Sequence, residues 1–159
     1  MLKIKIITLG KIKNKDLKNA ISEFEKRLSK YAKLEVLELN DLPISEKPSQ
    51  SEIDICLEKE AIEINKRLSD KSYTFTLCIE GKKVTSEELS KMISDISQNY
   101  SEINFVIGSS YGISDKIKKE SDFKLSMSDM TFPHNIARLM LTEQIYRAFK
   151  IQKGESYHK

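Results

Sequence analysis

Cysteine, histidine, proline and glycine are all scarce in this chain of 159 residues, with two, two, three and five copies. Each scarcity excludes something. Two cysteines, Cys56 and Cys78, do not make a disulfide framework; they read as packing residues, Cys56 on a helix and Cys78 in a strand. With only His134 and His158, and no H-x-x-x-H or C-x-x-C, zinc-ligand spacing is missing. No G-x-S-x-G offers a hydrolase nucleophile elbow. No G-x-G-x-x-G or Walker Lys-Ser/Thr marks a dinucleotide or phosphate loop, and no ribose-binding acid stands at the usual offset. No apolar run approaches the ~18–20 residues of a membrane span. The start, MLKIKIITLGKIKNK, lacks an apolar signal core and a small-residue cleavage site. The 39% apolar and 32% charged composition is not that of a disordered chain. The expectation is a soluble, cytoplasmic protein, residues 1–159 folding as one domain.

Charge is unevenly placed. Residues 1–30 hold nine Lys/Arg against three acids, and residues 133–159 hold five against two, although the net charge is only +3. The middle is therefore acidic. Basic ends that meet in the fold would form a phosphate-facing surface, whereas ends that stay apart are ordinary solvated charge.

The hydrophobic period switches regularly. LKIKIITL (2–9), KLEVLEL (33–39), YTFTLCI (73–79), INFVI (103–107) and FKLSM (123–127) read as strands. Between them, three- and four-residue spacing predicts helices from Asn14 to Tyr31, from a Ser51 cap to Leu68, from a Thr85/Glu88 capping box to Gln98, from Ser114, and from Pro133 to Ile151. The segment 40–50, with two of the three prolines, is a loop. Alternating strands and helices imply an α/β fold with a mainly parallel sheet and helices on both faces.

Ligands of such sheets bind at the carboxyl ends of strands, here Leu9-Gly10, Ile79-Glu80-Gly81, Ile107-Gly108 and 127–132. GSSYG (108–112) fits either a tight strand-to-helix turn or a loop that lets backbone approach a ligand. Residues 125–150 crowd hydroxyls, methionines, Pro133 and His134 between strand and helix. That stretch is rich in backbone donors and poor in ionisable groups, which suits a neutral or cationic organic ligand better than phosphate. The last helix is apolar on more than one side, so it is deeply buried or packed on a partner chain. Glu80 and Asp129 lie near strand ends with nothing pairing them. The chemistry implied needs little acid–base machinery and no metal. Methyl transfer from S-adenosylmethionine fits, because the sulfonium is an excellent leaving group and the protein chiefly aligns donor and acceptor.

FVIGSSYG (105–112), LSMSDMTFPH (125–134), Arg138, EQIYRAFKI (143–151) and Tyr157-His158-Lys159 together resemble the bacterial large-subunit pseudouridine N3-methyltransferases, the RlmH group of the SPOUT class, over essentially the whole length. The resemblance implies a C-terminal trefoil knot, which periodicity alone cannot reveal. It also implies a homodimer, S-adenosyl-L-methionine as cofactor, and a pseudouridine in an intersubunit hairpin loop of 23S rRNA, within the assembled ribosome, as substrate. Neither a membrane nor a metal is implied. By motif position, Leu77, Gly108, Met127, Ser128, Asp129, Met130, Thr131 and Phe132 would contact the cofactor, Asp129 through its backbone. Ser109 stands where the family usually has a second glycine. Arg138, Tyr157 and His158 would complete the target-base site. Arg138 would stabilise the N3 anion, hold a phosphate, or form an ion pair at the dimer interface. His158 would accept the N3 proton or remain a surface residue. His134 reads as structural or cofactor-adjacent. Two rival readings keep the fold: a SPOUT methyltransferase for another rRNA or tRNA site, and a non-catalytic ribosome-binding factor.

Overall fold

The computed structural model describes residues 1–159. Five parallel strands run β1 (Lys3–Leu9), β2 (Lys33–Leu39), β3 (Ser72–Lys83), β4 (Glu102–Ile107) and β5 (Phe123–Ser126), arranged β2-β1-β4-β3-β5. The helices are α1 (Lys15–Leu28), α2 (Gln50–Asn65), α3 (Ser86–Ser97), α4 (Asp115–Glu120) and α5 (His134–Gln152). None is long and apolar enough to cross a membrane.

The period-2 pattern of β1 explains the two layers. Ile4 and Ile6 enter a core with Phe75, Phe105, Leu89, Ile93, Leu141, Ile145 and Phe149, which joins the sheet to α1, α3 and α5. Ile7 and Leu9 point the other way, into a second core with Ala61, Ile64, Val106 and Ile117 beneath α2 and α4. Both sheet faces are covered, as all-parallel sheets require. Helix α5 lies between α1 and α3 on the first face. Its Leu141, Ile145, Ala148 and Phe149 are buried within the chain, so intrachain packing accounts for much of its apolar surface.

Two boundaries differ from expectation. Helix α2 is capped by Ser49, not Ser51, with Glu52 completing a capping box one residue ahead of the first apolar position, Ile53. Strand β3 does not stop at Ile79 but continues through Gly81 to Lys83. It pairs with β5 twice: Leu77 and Lys82 both stand opposite Leu125, and Lys83 opposite Ser126. Glycine is required at 81 because a Cβ there would lie 2.6 Å from the Lys124 carbonyl oxygen.

A candidate active site at the carboxyl edge of the sheet

Three segments that end or follow strands converge at the carboxyl edge: 77–79 from β3, 107–112 after β4, and 125–137 from β5 into α5. They wall a cleft of about 650 Å³, within the roughly 300–1,000 Å³ typical of cofactor pockets. Gly108 shapes its floor. A Cβ at this position would fall 2.3 Å from the Gly112 carbonyl oxygen, so the turn closes only over a glycine. Gly112 adopts φ +88°, its amide donates to the Ser109 carbonyl at 2.9 Å, and the two residues form an isolated bridge. GSSYG is therefore both things at once, a tight turn and a cleft wall.

The cleft lining carries no Lys, Arg, Asp or Glu, and His134 is its one histidine. Leu77, Ile79, Ile107, Met127 and Phe132 give it apolar walls. Ser128 holds the following bend by accepting from the Met130 amide at 3.0 Å. The amides of Ser128, Asp129, Thr131 and Phe132 donate to no other group of the chain, which leaves a row of free donors beside an apolar wall. That combination fits an organic ligand with apolar bulk and hydrogen-bond acceptors.

Seven of the eight expected cofactor contacts line the cleft: Leu77, Gly108, Met127, Ser128, Met130, Thr131 and Phe132. Asp129 does not, since its carboxylate turns outward to Lys83 at 2.5 Å; its amide stays unengaged. Ile79, at a strand end named as a ligand position, also lines the wall; sequence reasoning missed Asn135 and Ala137, which enter it because α5 begins at its rim. Cys78 also lines the wall, half-buried, rather than filling the core. Burial pushes its thiol pKa up, which disfavours a reactive thiolate. Glu80 is drawn aside by Lys118 at 2.5 Å, and that contact lowers its carboxyl pKa.

Arg138, Tyr157 and His158 lie outside this lining. Arg138 is 7% exposed; its Nη1 donates to Glu38 at 2.8 Å and its Nη2 to Glu25 at 3.3 Å, while its Nε is buried without a partner. The ion pair expected at an interface is thus made within the chain, to β2 and α1. The terminal residues fold back on α5 and α3. Tyr157 Oη donates to Glu143 at 2.9 Å beneath the Arg147 guanidinium. Burial, with that hydrogen bond, raises the Tyr157 pKa. His158 sits between Arg147 (Nδ1, 3.1 Å) and Glu87 (Nε2, 2.6 Å). Arginine can only donate, so Nδ1 accepts and Nε2 carries the proton toward Glu87. A second cavity of about 450 Å³ runs from Glu143 and Gln144 past Leu139 and Met140, and shares Leu125 and Met127 with the cleft.

Several of the N- and C-terminal cations are paired within the chain. Lys5 pairs with Glu102, Arg147 with Glu143 and Lys150 with Glu155. Lys11, Lys13, Lys15 and Lys18 stay exposed in the segment that leaves β1 and starts α1.

A family model described as predicted SPOUT methyltransferase matches residues 2–158. Ribosomal RNA large subunit methyltransferase H of Streptococcus uberis is 48% identical over 159 residues, covering 99% of this chain and 100% of that one. The protein of the same name from Clostridioides difficile is 48% identical with the same coverage. A putative ribosomal RNA large subunit methyltransferase H of Methanococcus maripaludis is 52% identical, again over 99% and 100%. Among solved structures, a probable methylase family protein from Haemophilus influenzae shares the fold, with a TM-score of 0.56 at 12% identity over 98% of this chain and 70% of that one. The chain belongs to the SPOUT methyltransferase family and, within it, to the RlmH group.

Proposed function

We propose that the protein transfers a methyl group from S-adenosylmethionine to N3 of a pseudouridine in 23S rRNA, acting on the assembled ribosome in the cytoplasm as a homodimer. The observation that carries the reading is the cleft. Its walls are apolar, the amides of Ser128, Asp129, Thr131 and Phe132 are unengaged, and it lies where an open parallel sheet binds ligands. The large-subunit rRNA named in its relatives supports the substrate class. A C-terminal knot belongs to the same reading through membership of the SPOUT methyltransferase family.

Leu77, Gly108 and 127–132 would hold the cofactor, with Asp129 contributing its amide. When bound, S-adenosylmethionine supplies an electrophilic methyl whose departure neutralises the sulfonium. The chain's remaining work is to orient the base, exclude water and manage the N3 proton. Arg138, Tyr157 and His158 do not line their own chain's cleft, so we place them at the cleft of the partner, where the half-exposed Ile136, Leu139 and Met140 of α5 make the contact. There Arg138 holds the developing N3 anion or an adjacent phosphate. His158 accepts the N3 proton at Nδ1 once that nitrogen is released from Arg147. Tyr157 keeps the segment docked through Glu143. Lys11, Lys13, Lys15 and Lys18 face the rRNA backbone and add salt-dependent affinity.

The test supplies the protein and labelled S-adenosylmethionine with assembled ribosomes, free large subunits and tRNA from cells lacking the enzyme. Label is expected in 23S rRNA of assembled ribosomes and is lost when the target uridine has not been isomerised. Label in tRNA would overturn the substrate, and failure to bind the cofactor would favour a ribosome-binding factor. His158→Ala and Arg138→Ala are expected to slow single turnover on ribosomes; full rates in both would remove these two residues from the mechanism.

A further inference from the structure

Beneath the cleft lies an acidic side chain with no part in the scheme above. Glu60, on α2, is 4% exposed. No cation pairs with it, and burial is the main reason its carboxyl pKa is raised, with Asp41 adding to the effect. An isolated buried carboxylate is unfavourable unless it is hydrogen-bonded. Glu60 has one such bond: Ser109 Oγ donates to its Oε1 at 3.0 Å.

Ser109 is the second residue of the 108–112 turn. A hydroxyl has one proton, and here it is committed to Glu60. Its lone pairs are thereby turned toward the Tyr111 amide at 3.4 Å, while its carbonyl receives the Gly112 amide at 2.9 Å. The turn has no slack on its other side, since Gly108 already abuts the Gly112 carbonyl. One hydrogen bond therefore ties the cleft wall to the helix layer behind the sheet. We propose that Glu60 is a positioning residue that, acting through Ser109, fixes the 108–112 turn in the shape that receives the methyl donor. The proposal rests on the methyl-donor reading. It requires an acceptor at position 60, not a charge, so glutamine substitutes for glutamate and an aliphatic residue does not.

The test measures S-adenosylhomocysteine affinity by titration calorimetry, with KM for the methyl donor and kcat on ribosomes measured separately. If the wild-type protein does not bind S-adenosylhomocysteine, the methyl-donor reading falls and this proposal falls with it. Given wild-type binding, Ser109→Ala and Glu60→Leu are each expected to raise Kd and KM about fivefold, the effect of one lost hydrogen bond, with kcat at saturating donor unchanged. The double variant is expected to be no worse than either single one, and Glu60→Gln to stay within about twofold of wild type. A merely structural role would lower Tm and the active fraction without moving KM. Ser109→Ala changes only a half-exposed turn, so it decides the matter even if Glu60→Leu fails to fold. Ser109→Ala binding as tightly as wild type, or effects that add in the double variant, would overturn the proposal.

Discussion

At the scale of single residues, Gly108 and Arg138 make the sharpest predictions. Gly108→Ala must push the Gly112 carbonyl away from a Cβ that would sit 2.3 Å from it. Relief of that overlap moves the cleft floor, so donor affinity is expected to fall at least about tenfold while circular dichroism stays native; unchanged calorimetric binding would contradict the role given to the turn. Arg138→Ala leaves Glu25 and Glu38 without their shared guanidinium. Both carboxylates are partly exposed, so the expected loss in urea unfolding is about 1–2 kcal/mol, short of a fully buried pair. Wild-type stability in that variant would show that the intrachain pairs contribute nothing. The motif identified Arg138, but only the fold shows which acids hold it. Glu25 is 113 residues away and Glu38 is 100, separations no local pattern encodes.

Among the elements, those with local chemistry were legible. Thr85 and Glu88 form the capping box their spacing predicts, and Asn14 and Ser114 cap α1 and α4. The local pattern of β3 ends too early because Gly81 looks like a terminator. It is instead the one residue that lets two chain segments pass, a tertiary demand that sequence cannot separate from a turn. The terminal segment also escaped local reading, since ion pairs hold it. Lys150 and Tyr31 hold the Glu155 carboxyl below the ordinary glutamate range, and His158 does the same for Glu87. A carboxyl depressed in the folded state contributes stability above its unfolded value, and that contribution disappears as pH falls through the folded value. The segment is therefore expected to stay docked through neutral and mildly acid pH and to detach only below about 4.5. Carboxypeptidase sensitivity against pH reads this directly; release that begins near pH 6 would mean the carboxylates are not what holds it.

The whole molecule sets what no element can. The α/β class and strand positions followed from hydrophobic period, but the order β2-β1-β4-β3-β5 did not. That order brings 77–79, 107–112 and 125–137 to one edge, so the cleft exists only at this scale. The proposed partner contact belongs here too. Leu139 and Met140 stay half-exposed beside a 450 Å³ cavity although Leu141, Ile145, Ala148 and Phe149 of the same helix are buried. Leu139→Glu is expected to yield a monomer in sedimentation equilibrium that still binds donor yet loses methylation of ribosomes; an active monomer would place Arg138, Tyr157 and His158 at their own chain's cleft. The most direct test of the central claim is nucleoside mass spectrometry of 23S rRNA after assembled ribosomes from enzyme-deficient cells are treated with the protein and methyl-deuterated S-adenosylmethionine. The account predicts one deuterated methyl on N3 of one pseudouridine. A label on another nucleoside, or none with the cofactor bound, would contradict it.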